Sequence, residues 1–208
     1  MKNFLSLLII FLPIVAFTQQ KLPKDKQDID NSIEAHKKDL IAISDEIWAK
    51  AETAFEEYDS SKILSDYAEN NGFAVEKGVA GMPTAFIVEF GSGSPVIAIL
   101  GEYDALPGLS QQAIPEKKSA GNKAGHACGH HLFGTASAAA AISVKQWMQE
   151  NNIKGTIRFY GCPAEEGGSG KVYMTRAGLF DDADVALHWH PNNKNSYRQI
   201  QHRFCYFL

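Results

Sequence analysis

The sequence predicts an α/β sandwich, with a largely parallel or mixed sheet flanked by helices. Three features point to it. Apolar runs of strand length alternate with stretches of helical periodicity. Clusters of Gly, Pro, Ser and Asn punctuate the boundaries. One long helical stretch carries a block of small residues at 136–141, which lets a helix sit close against a sheet. Of the 208 residues, 45% are hydrophobic and 21% charged, the balance of a soluble globular domain.

A first helix is predicted from Asp30, with Ile33, Leu40, Ile41, Ile47 and Trp48 near one face and charges opposite. Ser60 or Ser61 is the expected N-cap of a second, which buries Ile63, Leu64 and Tyr67 and ends at Asn70, Asn71 and Gly72. Residues 84–90 form a β-rich run, 91–95 a turn, and 96–100 a short apolar strand. A loop covers 106–125. Then come a helix at 131–149, a strand at 156–160, a helix at 171–177 and a last strand at 185–189.

The ends read differently. Lys2 precedes an apolar run at 4–17 broken only by Ser6 and Pro13, and the small Ala16 and Thr18 precede polar Gln19 and Gln20. Residues 1–18 therefore read as a secretory leader, which places the protein outside the cytoplasm, periplasmic or extracellular. The run falls short of the roughly 20 apolar residues of a membrane span, so no stable span is expected after cleavage. Residues 19–29 read as a linker and 30–191 as the folded domain. At 192–208 the character changes: Lys194, Arg198 and Arg203 occur with no acidic residue, and the chain ends in Phe204, Cys205, Tyr206, Phe207 and Leu208. That segment reads as an aberrant tail, out of frame or prematurely stopped.

The formal net charge of -4 gives no electrostatic reason to expect nucleic acid or an anionic membrane as partner. Three cysteines in an exported chain do not make a disulfide framework.

In open α/β sheets, ligands bind beyond the carboxyl ends of the strands. Glu102 and Asp104 follow the 96–100 run, Glu165 and Glu166 follow the 156–160 run, and His188 ends the last strand. GHACGHH places His126, Cys128, His130 and His131 just before the long helix, and thiolate and imidazole suit zinc and similar divalent metals. In PAEEGG, adjacent side chains on extended backbone diverge, so one carboxylate can bind metal while the other takes a proton. The following GGSGK lacks the glycine spacing of a phosphate loop, and Val172 stands where that loop needs Ser or Thr. In LHWHP, His188 and His190 would share one face of a strand. One would be a ligand and the other a substrate contact.

The segments GEYDALPG, AGHACGHHLFG, PAEEGG and ALHWHP, in this order across 29–191, resemble a family of dinuclear metallopeptidases and amidohydrolases. It includes aminoacylases, hippurate hydrolases, auxin-conjugate hydrolases and p-aminobenzoyl-glutamate hydrolase. GEYDALPG and the LFG after the histidine cluster are most similar to the last branch. The resemblance implies that 30–191 is the N-terminal part of a metallohydrolase catalytic domain. It implies two divalent metal ions, zinc or manganese, held by Cys128 as a bridging thiolate, His130, Glu166 and His188. Glu165 would be the general base, and Asp104 would support the histidine ligand. His131 stands where many relatives have Asp. The reaction implied is hydrolysis of an amide bond in an N-acyl amino acid, a p-aminobenzoyl-glutamate-like conjugate or a small peptide. Metal-activated water attacks, and Glu165 passes its proton to the leaving amine.

Two other readings compete. A cysteine hydrolase would use Cys128 with a nearby histidine, but it leaves Glu165, Glu166 and His188 without a role. A truncated fragment would bind metal without turnover. Relatives of this family continue past the His-x-x-Pro element into a lid or dimerisation domain and a final histidine ligand, and they are expected to form homodimers. Nothing in 192–208 fills those parts, so weak or absent amidase activity is expected of these 208 residues. The leader reading is checked by N-terminal sequencing of protein made in its native host: exported material should begin near Gln19, and intact Met1 on soluble cytoplasmic protein would refute it.

Overall fold

The computed structural model describes residues 22–192 and Lys194. The expected leader and nearly all of the expected tail lie outside the described residues. No described helix is long and apolar enough to cross a membrane.

The first helix, α1, runs Lys24–Lys50 and so begins inside the expected linker. Its first turns are polar, which hides them from a periodicity reading. They are held by the Lys24–Asp28 pair at 2.6 Å, one helical turn apart. Asp25 also accepts from the indole Nε1 of Trp147 at 3.3 Å. The second helix, α2, spans Tyr58–Asn70, and Ser60 and Ser61 lie inside it rather than capping it. The first free amides are met instead by Glu52, whose carboxylate accepts from the backbone N–H of Asp59 at 2.9 Å and of Ser60 at 2.8 Å. A cap supplied from eight residues upstream leaves no local signature.

The strands are β1 (Ala74–Lys77), β2 (Phe86–Ser92), β3 (Val96–Gly101), β6 (Gly155–Gly161) and β7 (Val185–Leu187). They form one mixed sheet in the order β1-β2-β6-β3-β7. β6, β3 and β7 are parallel, whereas β1, β2 and β6 pair antiparallel. The predicted mixed α/β sheet is therefore what the chain forms. The short edge strand β1 carries no apolar run and so leaves no strand signal in the sequence. Inside the expected 106–125 loop, β4 (Leu106–Pro107) and β5 (Ala124–Gly125) pair as a small ribbon.

α3 (His130–Asn151) crosses between β3 and β6. It packs with α1 and α2 on one face of the sheet, over a core that includes Ile47, Leu64, Phe86, Ile99, Ile142, Ile157 and Phe159. The alternate strand residues Ala98, Leu100 and Tyr160 face the other way, against Met174 of α5 (Gly170–Arg176) and Phe180. The period of two along β3 and β6 thus sorts side chains into two layers of core.

One contact sets where the long helix sits. A side chain at Gly134 would place its first carbon 2.5 Å from the backbone oxygen of Glu102 and 3.0 Å from Leu64 Cδ1. The helix therefore lies directly on the end of β3, one turn after His130. Gly134→Ala gains about 1 kcal/mol of helix propensity, but overpacking against backbone costs about 1–3 kcal/mol. The expected outcome is a net loss of up to about 2 kcal/mol in urea unfolding. A stabilised variant would show that the helix can move off the strand.

Candidate metal centre

The parallel strands end in register, with Leu100 beside Tyr160 and Gly101 beside Gly161. Beyond β3, Glu102 and Asp104 both reach His130, while Tyr103 between them packs into the core. Tyr103 is fully buried, stacks on Phe86 at 5.9 Å and donates its hydroxyl to the carbonyl of Thr84 at 2.5 Å. That anchoring holds the two flanking carboxylates still. Both are 1% exposed.

His130 opens α3 next to them and is fully buried. Its Nδ1 lies 2.9 Å from Asp104 Oδ1 and 3.0 Å from the Asp104 carbonyl oxygen. Both are acceptors, so Nδ1 carries a proton and Nε2 is the atom turned to the site. This is the carboxylate–histidine pairing that orients metal-binding imidazoles. Nε2 faces Glu102 Oε2 at 2.9 Å and Glu165 Oε2 at 3.9 Å. Burial alone would lower the pKa of His130, but the hydrogen bond to Asp104 and the adjoining Glu102 hold it up at about 10. Burial likewise disfavours charge on Glu102, yet His130, His188 and Lys171 carry it well below the usual carboxylate range.

Gly129, at φ +79°, turns the chain between Cys128 and His130, which brings both side chains to the same place. Cys128 Sγ lies 3.2 Å from His190 Nε2. Burial first, then the carboxylates of Glu166, Glu165 and Glu102, push the Cys128 thiol up to about 12. A nucleophilic cysteine needs electropositive surroundings. These are the reverse, and they suit a thiol that ionises only against a cation.

Glu165 and Glu166 sit in α4 (Glu165–Gly168), a single irregular turn after β6. The backbone N–H of Glu166 donates to Asp104 Oδ2 at 2.8 Å. Glu166 Oε1 is buried without a hydrogen-bond partner among the described residues. Glu102 Oε2 and His130 Nε2 also lack a well-directed hydrogen bond despite their proximity. Two sets of atoms converge within 4.8 Å: Cys128, His130 and His190, and Glu102, His130 and Glu165. Soft and hard donors crowded together, with buried polar atoms left over, fit divalent cations.

Of the expected ligands, Cys128 and His130 fall in these groups and Glu166 and His188 fall in neither, whereas Glu165, expected as the base, joins the second. β7 stops at Leu187, so His188 and His190 follow it off the strand and diverge. His188 Nε2 lies 3.3 Å from Glu102 Oε1, and His190 joins Cys128. Glu102 enters a donor group although the family resemblance implies no role for it, and Lys171 forms an ion pair with its Oε1. The Glu-x-Asp alternation past the strand is the available sign. His131 lies outside both donor groups: its ring tilts against that of His126 at 5.1 Å, and His126 Nε2 meets the Ile47 carbonyl at 3.1 Å.

Residues 98–202, half of the chain, match the model of Peptidase family M20/M25/M40. The chain belongs to that family. A p-aminobenzoyl-glutamate hydrolase subunit of Escherichia coli is 54% identical over 166 residues, covering 78% of this chain and 34% of that protein. Human Xaa-Arg dipeptidase is 33% identical over 173 residues, covering 76% of this chain and 36% of that one. Among solved structures, the Bacillus subtilis protein YXEP, described as a dinuclear metal binding peptidase from the M20 family, superposes with a TM-score of 0.64 at 28% identity. That match covers 74% of this chain and 43% of that one. The chain spans about a third of the length of the curated relatives it matches.

If the thiol is a ligand, Cys128→Ser is expected to weaken zinc binding about tenfold or more by calorimetric titration, and cadmium binding further still, because cadmium is the softer ion. Equal affinities in variant and native protein would remove Cys128 from the ligand set.

Proposed function

We propose that this chain carries the metal-binding half of an amidohydrolase acting on N-acyl amino acids, p-aminobenzoyl-glutamate-like conjugates or small peptides. One observation carries the reading: His130 is shared between a thiolate–imidazole group and a carboxylate group, beside a partly exposed glutamate. The names of the similar hydrolase and dipeptidase support the amide bond as target.

Cys128, His130 and Glu166 would hold two divalent ions, with His188 and His190 arriving from the end of β7. Zinc suits the thiolate and imidazoles, and manganese is the alternative the carboxylates accept. When bound, the ions supply Lewis acidity. Asp104 keeps the His130 imidazole oriented. Glu165, with 44% of its side chain exposed, reaches both the cluster and solvent. It would take the proton of an attacking water and return it to the leaving amine. The leader reading adds that this chemistry would take place outside the cytoplasm.

The test is turnover of N-acyl amino acids and p-aminobenzoyl-glutamate with added zinc or manganese. Glu165→Gln is expected to lower kcat by about 100-fold or more with metal content unchanged. Parallel loss of metal would make Glu165 a ligand. Turnover that survives chelation would overturn the metal mechanism, and metal binding without turnover would favour a binding fragment.

A further inference from the structure

Glu57 is a fully buried carboxylate that neither donor group includes. It stands just before α2, more than a hundred residues from the glutamate pair in sequence. Its Oε1 accepts the backbone N–H of Ala164 at 2.8 Å, and its Oε2 accepts the Thr84 hydroxyl at 2.9 Å. Burying a carboxylate is costly unless its bonds are made, and here both oxygens are used. Burial pushes the pKa of the Glu57 carboxyl up, and the hydrogen bonds from Thr84 and Ala164 work against that shift.

Ala164 is where such a bond matters. It sits at φ 56° and ψ 42°, the left-handed region that a residue with a Cβ rarely adopts. It is fully buried, and Glu165 follows it directly. On the far side of Glu165, the Glu166 amide donates to Asp104 Oδ2 at 2.8 Å. The backbone amides before and after Glu165 are therefore each gripped by a buried carboxylate, one from the start of α2 and one from the end of β3. Thr84 links the two grips, because its carbonyl accepts from Tyr103, the residue preceding Asp104.

We propose that Glu57 is a positioning residue: through the Ala164 amide it fixes the left-handed turn that aims Glu165 at the metal centre. The proposal rests on the reading of Glu165 as the base. It makes Glu57 part of the catalytic apparatus without contact to substrate or metal.

The test uses the 208-residue chain. In Glu57→Ala, amide hydrogen exchange at position 164 should rise about tenfold or more. In the same variant kcat should fall about 10- to 100-fold, with KM within about threefold and zinc stoichiometry unchanged, as expected for a misaimed group. Glu57→Gln should recover most of both. Its amide oxygen can still accept from Ala164, and its NH2 can donate to the Thr84 hydroxyl, which accepts as readily as it donates. The core variant Ile142→Ala serves as a control for instability: it should lower the Tm and leave kcat per folded molecule unchanged. Should Glu57→Ala not fold, Glu57→Ala combined with Ala164→Gly takes its place, since glycine enters the left-handed turn without strain. Fast exchange and low kcat are again expected. Native exchange at position 164 overturns the proposal, as does a Glu57→Gln kcat as low as that of Glu57→Ala. If the native chain hydrolyses nothing, the hydrolase reading fails by itself, and exchange at position 164 still decides whether Glu57 holds the turn.

Discussion

Asp104 Oδ1 accepts the Nδ1 proton of His130 at 2.9 Å while its Oδ2 accepts the Glu166 amide at 2.8 Å. Those two bonds tie together three segments distant in sequence: the extension of β3, the first turn of α3 and the turn after β6. The carboxylate is 1% exposed, so both bonds work in a low-dielectric setting where they are strong and where an unpaired oxygen would be costly. Breaking a buried pair by removing one partner typically costs about 3–5 kcal/mol. The relative placement of His130 and the two glutamates therefore depends on this one side chain more than on any loop.

The sheet delivers Asp104 to that position. β3 and β6 are parallel and in register, so the residues that leave their carboxyl ends emerge side by side. The same end receives the start of α3, because Gly134 lets the helix rest on the Glu102 backbone. β2 runs the other way and brings Thr84 to the same rim from its amino end. A fully parallel sheet would have no strand entering there. The mixed topology supplies a third kind of support, buried hydroxyl and carbonyl groups that brace the acidic residues from beneath.

Much of this was legible in the sequence because it is written in local pattern. β2, β3, β6 and α3 show up as apolar runs and small residues, and the cluster residues stand just past strand ends or before a helix. What was hidden acts at a distance. Glu52 caps α2 from outside it, the polar start of α1 is held by Asp25 and Asp28, and Glu57 meets Ala164 only after folding. The two histidines after β7 illustrate the limit of periodicity. Period two on a strand would point both the same way, but the strand ends at Leu187 and they part, one to Glu102 and one to Cys128. Composition alone likewise could not separate a bare Glu-Glu pair in a solvated loop from one braced by Asp104.

The crowding of acidic groups also imposes a sequence of events. Glu102, Asp104, Glu165 and Glu166 lie together, with the Lys171 ammonium paired to Glu102. A cleft lined by one sign of charge draws counter-ions in and turns like charges away. Divalent cations would thus be steered inward, and an anionic ligand would be repelled in their absence. Two such ions would cancel the negative excess rather than merely reduce it. An anion would then be expected to enter after the cations, by electrostatics alone.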